Sequence, residues 1–74
     1  MNLRNYEGKN VKLIDNDGEI FEVYVSDYIF AEDNVPEEVE AIVLDYPIRI
    51  SDSYKYKNPV EFTALEIKSI KIIK

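Results

Sequence analysis

The stretch KNVKLIDNDGEIFEVYVSDYIF, residues 9–30, decides the fold class. Residues 9–15 alternate, with Val11 and Leu13 on one side and Lys12 on the other, which is the two-residue period of a strand. Asp17-Gly18 follows directly, and Asp-Gly between two β-prone runs is a strong short hairpin signal. Gly18 supplies the positive φ that a tight primed turn needs. Residues 19–30 form a second, longer strand, with Phe21, Val23 and Val25 on one face and Glu22, Tyr24 and Ser26 on the other. That alternation slips at Asp27, after which Tyr28 and Phe30 are the large residues. A bulge or bend near Ser26 and Asp27 accounts for the change of phase.

Outward from this hairpin the chain keeps its β character. Residues 31–40 are acidic and contain Pro36, so they read as an exposed loop. Residues 41–46 (AIVLDY) are a third strand, apolar on both faces until Asp45. Residues 47–59 stay open: Ile48 and Ile50 suggest a short strand, and Tyr54 and Tyr56 alternate with Lys55 and Lys57, so a second hairpin is compatible with them. Val60, Phe62 and Ala64 alternate with Glu61 and Thr63, and residues 67–73 carry four isoleucines. Apolar residues there also fall at helical spacing, and the β-branched content argues for strands instead. A short helical turn over residues 2–6, ended by Gly8, fits the start. The expectation is one all-β domain over residues 1–74: five short strands, a strongly bent antiparallel sheet, closed as a small barrel that leaves no bare edge.

Composition limits the chemistry. Of 74 residues none is cysteine and none is histidine, which excludes disulfides, thiolate nucleophiles, histidine bases and histidine–cysteine zinc sites. A chain this short buries a small core, so tight packing and self-association carry its stability. Nothing resembles a signal peptide, and no apolar run approaches the ~20 residues of a membrane span. The expected setting is cytoplasmic, with no membrane partner.

Charge is segregated. Arg4, Lys9 and Lys12 against Glu7 give residues 1–14 a net of +2. Twelve acids against Arg49 give residues 15–54 a net of −11, and five lysines against Glu61 and Glu66 give residues 55–74 a net of +3. The whole chain stands at −6, whereas nucleic-acid binding usually leaves a clustered basic footprint.

With the strands in place, the residues resemble a known family. Val11-Lys12-Leu13, Asp17-Gly18, Ile20-Phe21 and Val25 are similar to the first motif of the Sm-like family, an alternating strand, an Asp/Asn-Gly turn and a long bent strand. Residues 62–70 (FTALEIKSI) fall in register with its second motif. The resemblance implies a five-stranded, SH3-like barrel that assembles into rings. It also has departures. Val23 replaces the usual mid-strand glycine, Thr63-Ala64 replaces the Arg-Gly pair of the family's RNA pocket, and Ile29 occupies the aspartate position of the first motif. Asp33 and Asn34 lie in the matching loop. The scaffold therefore resembles Sm-like proteins while their RNA chemistry does not carry over.

Candidate sites are few. Asp15-Asn16-Asp17-Gly18 is a poor calcium loop, because Gly18 at loop position six puts Leu13 at one and Tyr24 at twelve. The acids Glu32, Asp33, Glu37, Glu38 and Glu40 read as a solvated loop or a loose cation site without fixed spacing. Tyr54-Lys55-Tyr56-Lys57 interleaves aromatics with cations, the pattern of a single-strand binder or of an exposed amphipathic strand. Contact residues for a ligand or RNA are then Asp33, Asn34, Thr63, Tyr54, Lys55, Tyr56 and Lys57. Residues for a subunit interface are Phe62, Ala64, Ile67, Ile70 and Ile72. No catalytic set, cofactor or metal site is expected, and no DNA partner. The leading expectation is a non-catalytic Sm-like module in a homo-oligomer, with any RNA binding weak. An RNA-binding ring and a monomeric barrel recognising a protein or peptide are the alternatives.

Overall fold

A computed structural model describes residues 2–74. Six strands form one antiparallel sheet: β1 (Asn10–Asp15), β2 (Ile20–Ile29), β3 (Ala41–Arg49), β4 (Tyr54–Lys55), β5 (Val60–Thr63) and β6 (Ile67–Ile72). Their order is β4-β3-β2-β1-β6, and β5 returns to pair with the first half of β3. Three short 3-10 turns, Leu3–Tyr6, Ala31–Asp33 and Ala64–Glu66, are the helical content of the described residues. The all-β expectation holds. The count differs by one, because Tyr54–Lys55, inside the segment whose sequence left alternatives open, pairs with Ile48 and Arg49 as a separate strand. The sheet is also not closed by hydrogen bonds, since β5 pairs with β3 and β6 with β1.

The first hairpin shows how sequence sets this geometry. The Asp15 carboxylate accepts the N–H groups of Asp17 and Glu19, both at 2.9 Å, and the Asp15 N–H donates to Glu19 O at 3.0 Å. These contacts hold a loop one residue longer than a two-residue primed turn. Gly18 alone takes the left-handed conformation, at φ +87. A three-residue loop closed by a left-handed glycine is the next commonest hairpin solution.

Alternation along β1 and β2 turns Val11, Leu13, Phe21, Val23 and Val25 inward, where they meet Ile42, Leu44 and Ile67. Leu3 from the first 3-10 turn is fully buried among them. Gly8, at φ +78, ends that turn and lets the chain enter β1. The β2–β3 register shifts between Val25 and Asp27, where the side-chain phase slips in the sequence. A second shift, between Glu22 and Tyr24, gives β3 an extra residue at Tyr46, which stands at φ +53. Two bulges in one ladder bend the long strands sharply.

Beyond β5 the helical alternative fails at Thr63. The Glu66 carboxylate accepts from the Thr63 N–H at 2.9 Å and from its hydroxyl at 3.1 Å, fixing a one-turn corner. Ile67 then starts a strand along β1. No helix among the described residues is long and apolar enough to cross a membrane.

Candidate functional site

The tyrosine–lysine run has an internal partner in Arg49. Cross-strand pairing sets Arg49 opposite Tyr54, and its guanidinium lies 5.3 Å from the Tyr54 ring centre and 5.9 Å from that of Tyr56. Tyr54 and Tyr56 meet edge to face at 5.2 Å, and Tyr56 meets Phe21 at 5.9 Å. Tyr56 is thus half-buried against the core, while Tyr54, Lys55 and Lys57 stay exposed. Both tyrosine rings have partners within the chain, while Tyr54 stays 44% exposed.

Arg49 is itself clasped by Asp52, through bonds of 3.0 and 2.7 Å, with Glu19 further off at 3.8 Å. The Arg49 bond, helped by the Tyr54 N–H, holds the Asp52 carboxyl below the ordinary aspartate range. The same bond raises Arg49 above its usual value. A lowered carboxyl contributes stability above its unfolded pKa and loses it as pH falls through the folded one. Melting temperatures taken from about pH 5 down to about pH 2 will therefore converge for wild type and Asp52→Asn. A gap that stays constant over that range would contradict the clasp.

Two of the other predicted contact residues, Asn34 and Thr63, have structural duties. Asn34 donates from Nδ2 to Val39 O at 2.8 Å, pinning the acidic loop, and Asp33 is exposed in the 3-10 turn. Thr63 bonds Glu66 at the corner. A second cluster forms nearby: Glu40 accepts from the Tyr28 hydroxyl at 2.8 Å and from the Leu3 N–H at 3.3 Å. That hydroxyl bond raises the Tyr28 pKa above the ordinary value. Phe30, 43% exposed, lies against Tyr28 with Arg4 over its ring at 5.2 Å.

Of the predicted interface residues, Ile67 is in the core and Phe62, Ala64 and Ile70 pack against it. Ile72 remains 48% exposed. The apolar side chains of β5 and β6 therefore serve mainly the chain's own core.

Sequence reasoning missed an open groove of about 510 Å³ on the outer face, between β1, β2, β3 and β4. Tyr24, Tyr46, Ile48 and Ile73 line it together with Glu22, Asp45, Lys55 and Lys74. Tyr24 was legible as an outward residue of β2. Tyr46 was not, because its orientation depends on the bulge. Comparison of the sequence with protein-family models and with curated proteins gives no match.

Proposed function

We propose that the chain is a non-catalytic, Sm-like small barrel that works as a binding and assembly module in a homo-oligomer, in a cytoplasmic setting. The observation that carries this reading is the pair of free sheet edges. β5 and β6 each have one strand neighbour, and they lie on opposite flanks of the sheet. Free edges of this kind invite pairing with another chain. A head-to-tail contact would join β5 of one copy to β6 of the next, and repetition by rotation closes a ring.

Charge supports the contact. Glu61 of β5 lies opposite Val43, between two inward residues, and so faces outward. Lys71 of β6 lies directly across from Lys12 of β1, and like charges so placed repel. Ser69, Ile14 and both lysines border an open hollow of about 260 Å³. Glu61 from a neighbouring copy offsets that repulsion. The sheet order, the two bulges and the 3-10 corner before β6 also favour the small-barrel reading over a flat sheet.

Diluting the protein tests assembly through mass action: the melting temperature falls on dilution for an oligomer and stays fixed for a monomer. RNA binding is expected to be weak, given Thr63-Ala64 and the engaged Tyr54 and Tyr56. Filter binding with U-rich and A-rich single strands at near-physiological salt checks this. A sub-micromolar dissociation constant abolished by Tyr54→Ala and Tyr56→Ala would replace the proposal with an RNA-binding ring.

A further inference from the structure

The outer groove has a chemistry of its own, and it needs only one subunit. At the second bulge, Leu44 and Pro47 turn inward while Asp45 and Tyr46, adjacent in sequence, both turn out. Bulges re-aim side chains in this way, and they are over-represented at sheet edges, barrel rims and active sites. Tyr46 is held outward at φ +53, a conformation that bulky residues rarely adopt. Asp45 sits directly across from Tyr24, and Glu22 sits across from Ile48. The middle of the groove is therefore shared by two carboxylates and by two tyrosines that are 43% and 44% exposed.

The charges are arranged in order. Lys55 belongs to β4 and Lys74 bonds to Asn10 at the start of β1, so the lysines stand on either side of the β2–β3 centre. Among the described residues the ion pairs are those of Arg49: Glu22 has Lys12 across from it on β1 without forming an ion pair, and Asp45 faces Tyr24 rather than a cation. The segment containing both acids carries a net of −11 from twelve acids and one arginine, a field that draws basic partners.

We propose that this groove binds a peptide segment with a single central arginine or lysine flanked by apolar or neutral residues. The cationic head lies between Glu22 and Asp45, and its stem and neighbours rest on Tyr24, Tyr46, Ile48 and Ile73. Tyrosine faces attract a cation through their quadrupole, and carboxylates add charge-assisted hydrogen bonds. Lys55 and Lys74 reject a polybasic run by repulsion at both ends, so one cation in the middle is the recognised pattern.

The probe is a seven-residue peptide, capped at both ends, with one arginine among valines and serines, titrated to millimolar concentration against labelled protein by NMR. Amide shifts are expected at Tyr24, Asp45, Tyr46 and Ile73. Binding should weaken at least tenfold with glutamate in place of the arginine, with three consecutive arginines, and with the double variant Glu22→Gln, Asp45→Asn. Tyr46→Gly should also weaken binding tenfold while leaving the melting temperature unchanged or raised, because glycine suits the left-handed position. That pairing of effects separates a contact role from a structural one. Absence of shifts, equal binding of the glutamate peptide, unaffected variants, or an oligonucleotide displacing the peptide from the same amides would overturn the proposal. The titration reads one subunit's groove, so its outcome is independent of assembly.

Discussion

Replacing Leu13 with alanine is expected to remove a large share of the domain's stability. Leu13 is fully buried in the centre of β1, paired with Phe21 on one side and Ile70 on the other. Truncating a buried leucine costs about 2–5 kcal/mol, from lost transfer energy and from the cavity left behind. A domain of this length has a total stability of roughly 4–11 kcal/mol, and small cores fall toward the lower end. One substitution thus removes a third or more of the total. Denaturant titration followed by far-ultraviolet circular dichroism and tyrosine fluorescence reads the loss, the chain having no tryptophan. A midpoint unchanged from wild type would mean that the core is not organised around β1.

Lys71→Glu is expected to have the opposite profile, dissociating the assembly while sparing the subunit. Within one copy the change turns the repulsive Lys12–Lys71 pair into an attractive one, so the isolated subunit should melt no earlier. Between copies it sets a new carboxylate against Glu61 and should weaken each interface about tenfold. Adding Glu61→Lys restores the complement and should restore the mass. A variant that keeps its oligomeric mass, or whose dissociated subunit melts below wild-type protein diluted to single subunits, would contradict the proposed edge contact.

The contrast between these two positions reflects what a sequence makes visible. Val11, Leu13, Phe21, Val23 and Val25 are legible because a strand's period of two sorts side chains before any tertiary contact exists. The slip at Asp27 is legible for the same reason, as a break in that period. The second bulge leaves no comparable trace, since Asp45 and Tyr46 are polar and amphipathic and fit either face. Residues 54 and 55 form too short a strand for periodicity to register, and they owe their pairing to Ile48 and Arg49. Leu3 lies outside every strand, and only tertiary packing reveals that it closes the core. The candidate site was harder still to read. Tyr54 and Tyr56 look like a stacking platform until Arg49 is placed over them. Thr63 and Asn34 look like contact residues until their hydrogen bonds are traced to Glu66 and Val39. Hydrogen-bond partners and cross-strand neighbours are not encoded by local spacing, so roles that depend on them emerge only with the fold.

The proposed assembly depends on the free edges of β5 and β6 meeting between copies. Light scattering on freshly purified protein at tens of micromolar, in low and in moderate salt, measures this directly. The expected mass is a whole-number multiple, two or more, of the 8.7 kDa chain in both conditions. A mass of a single chain in both would contradict it.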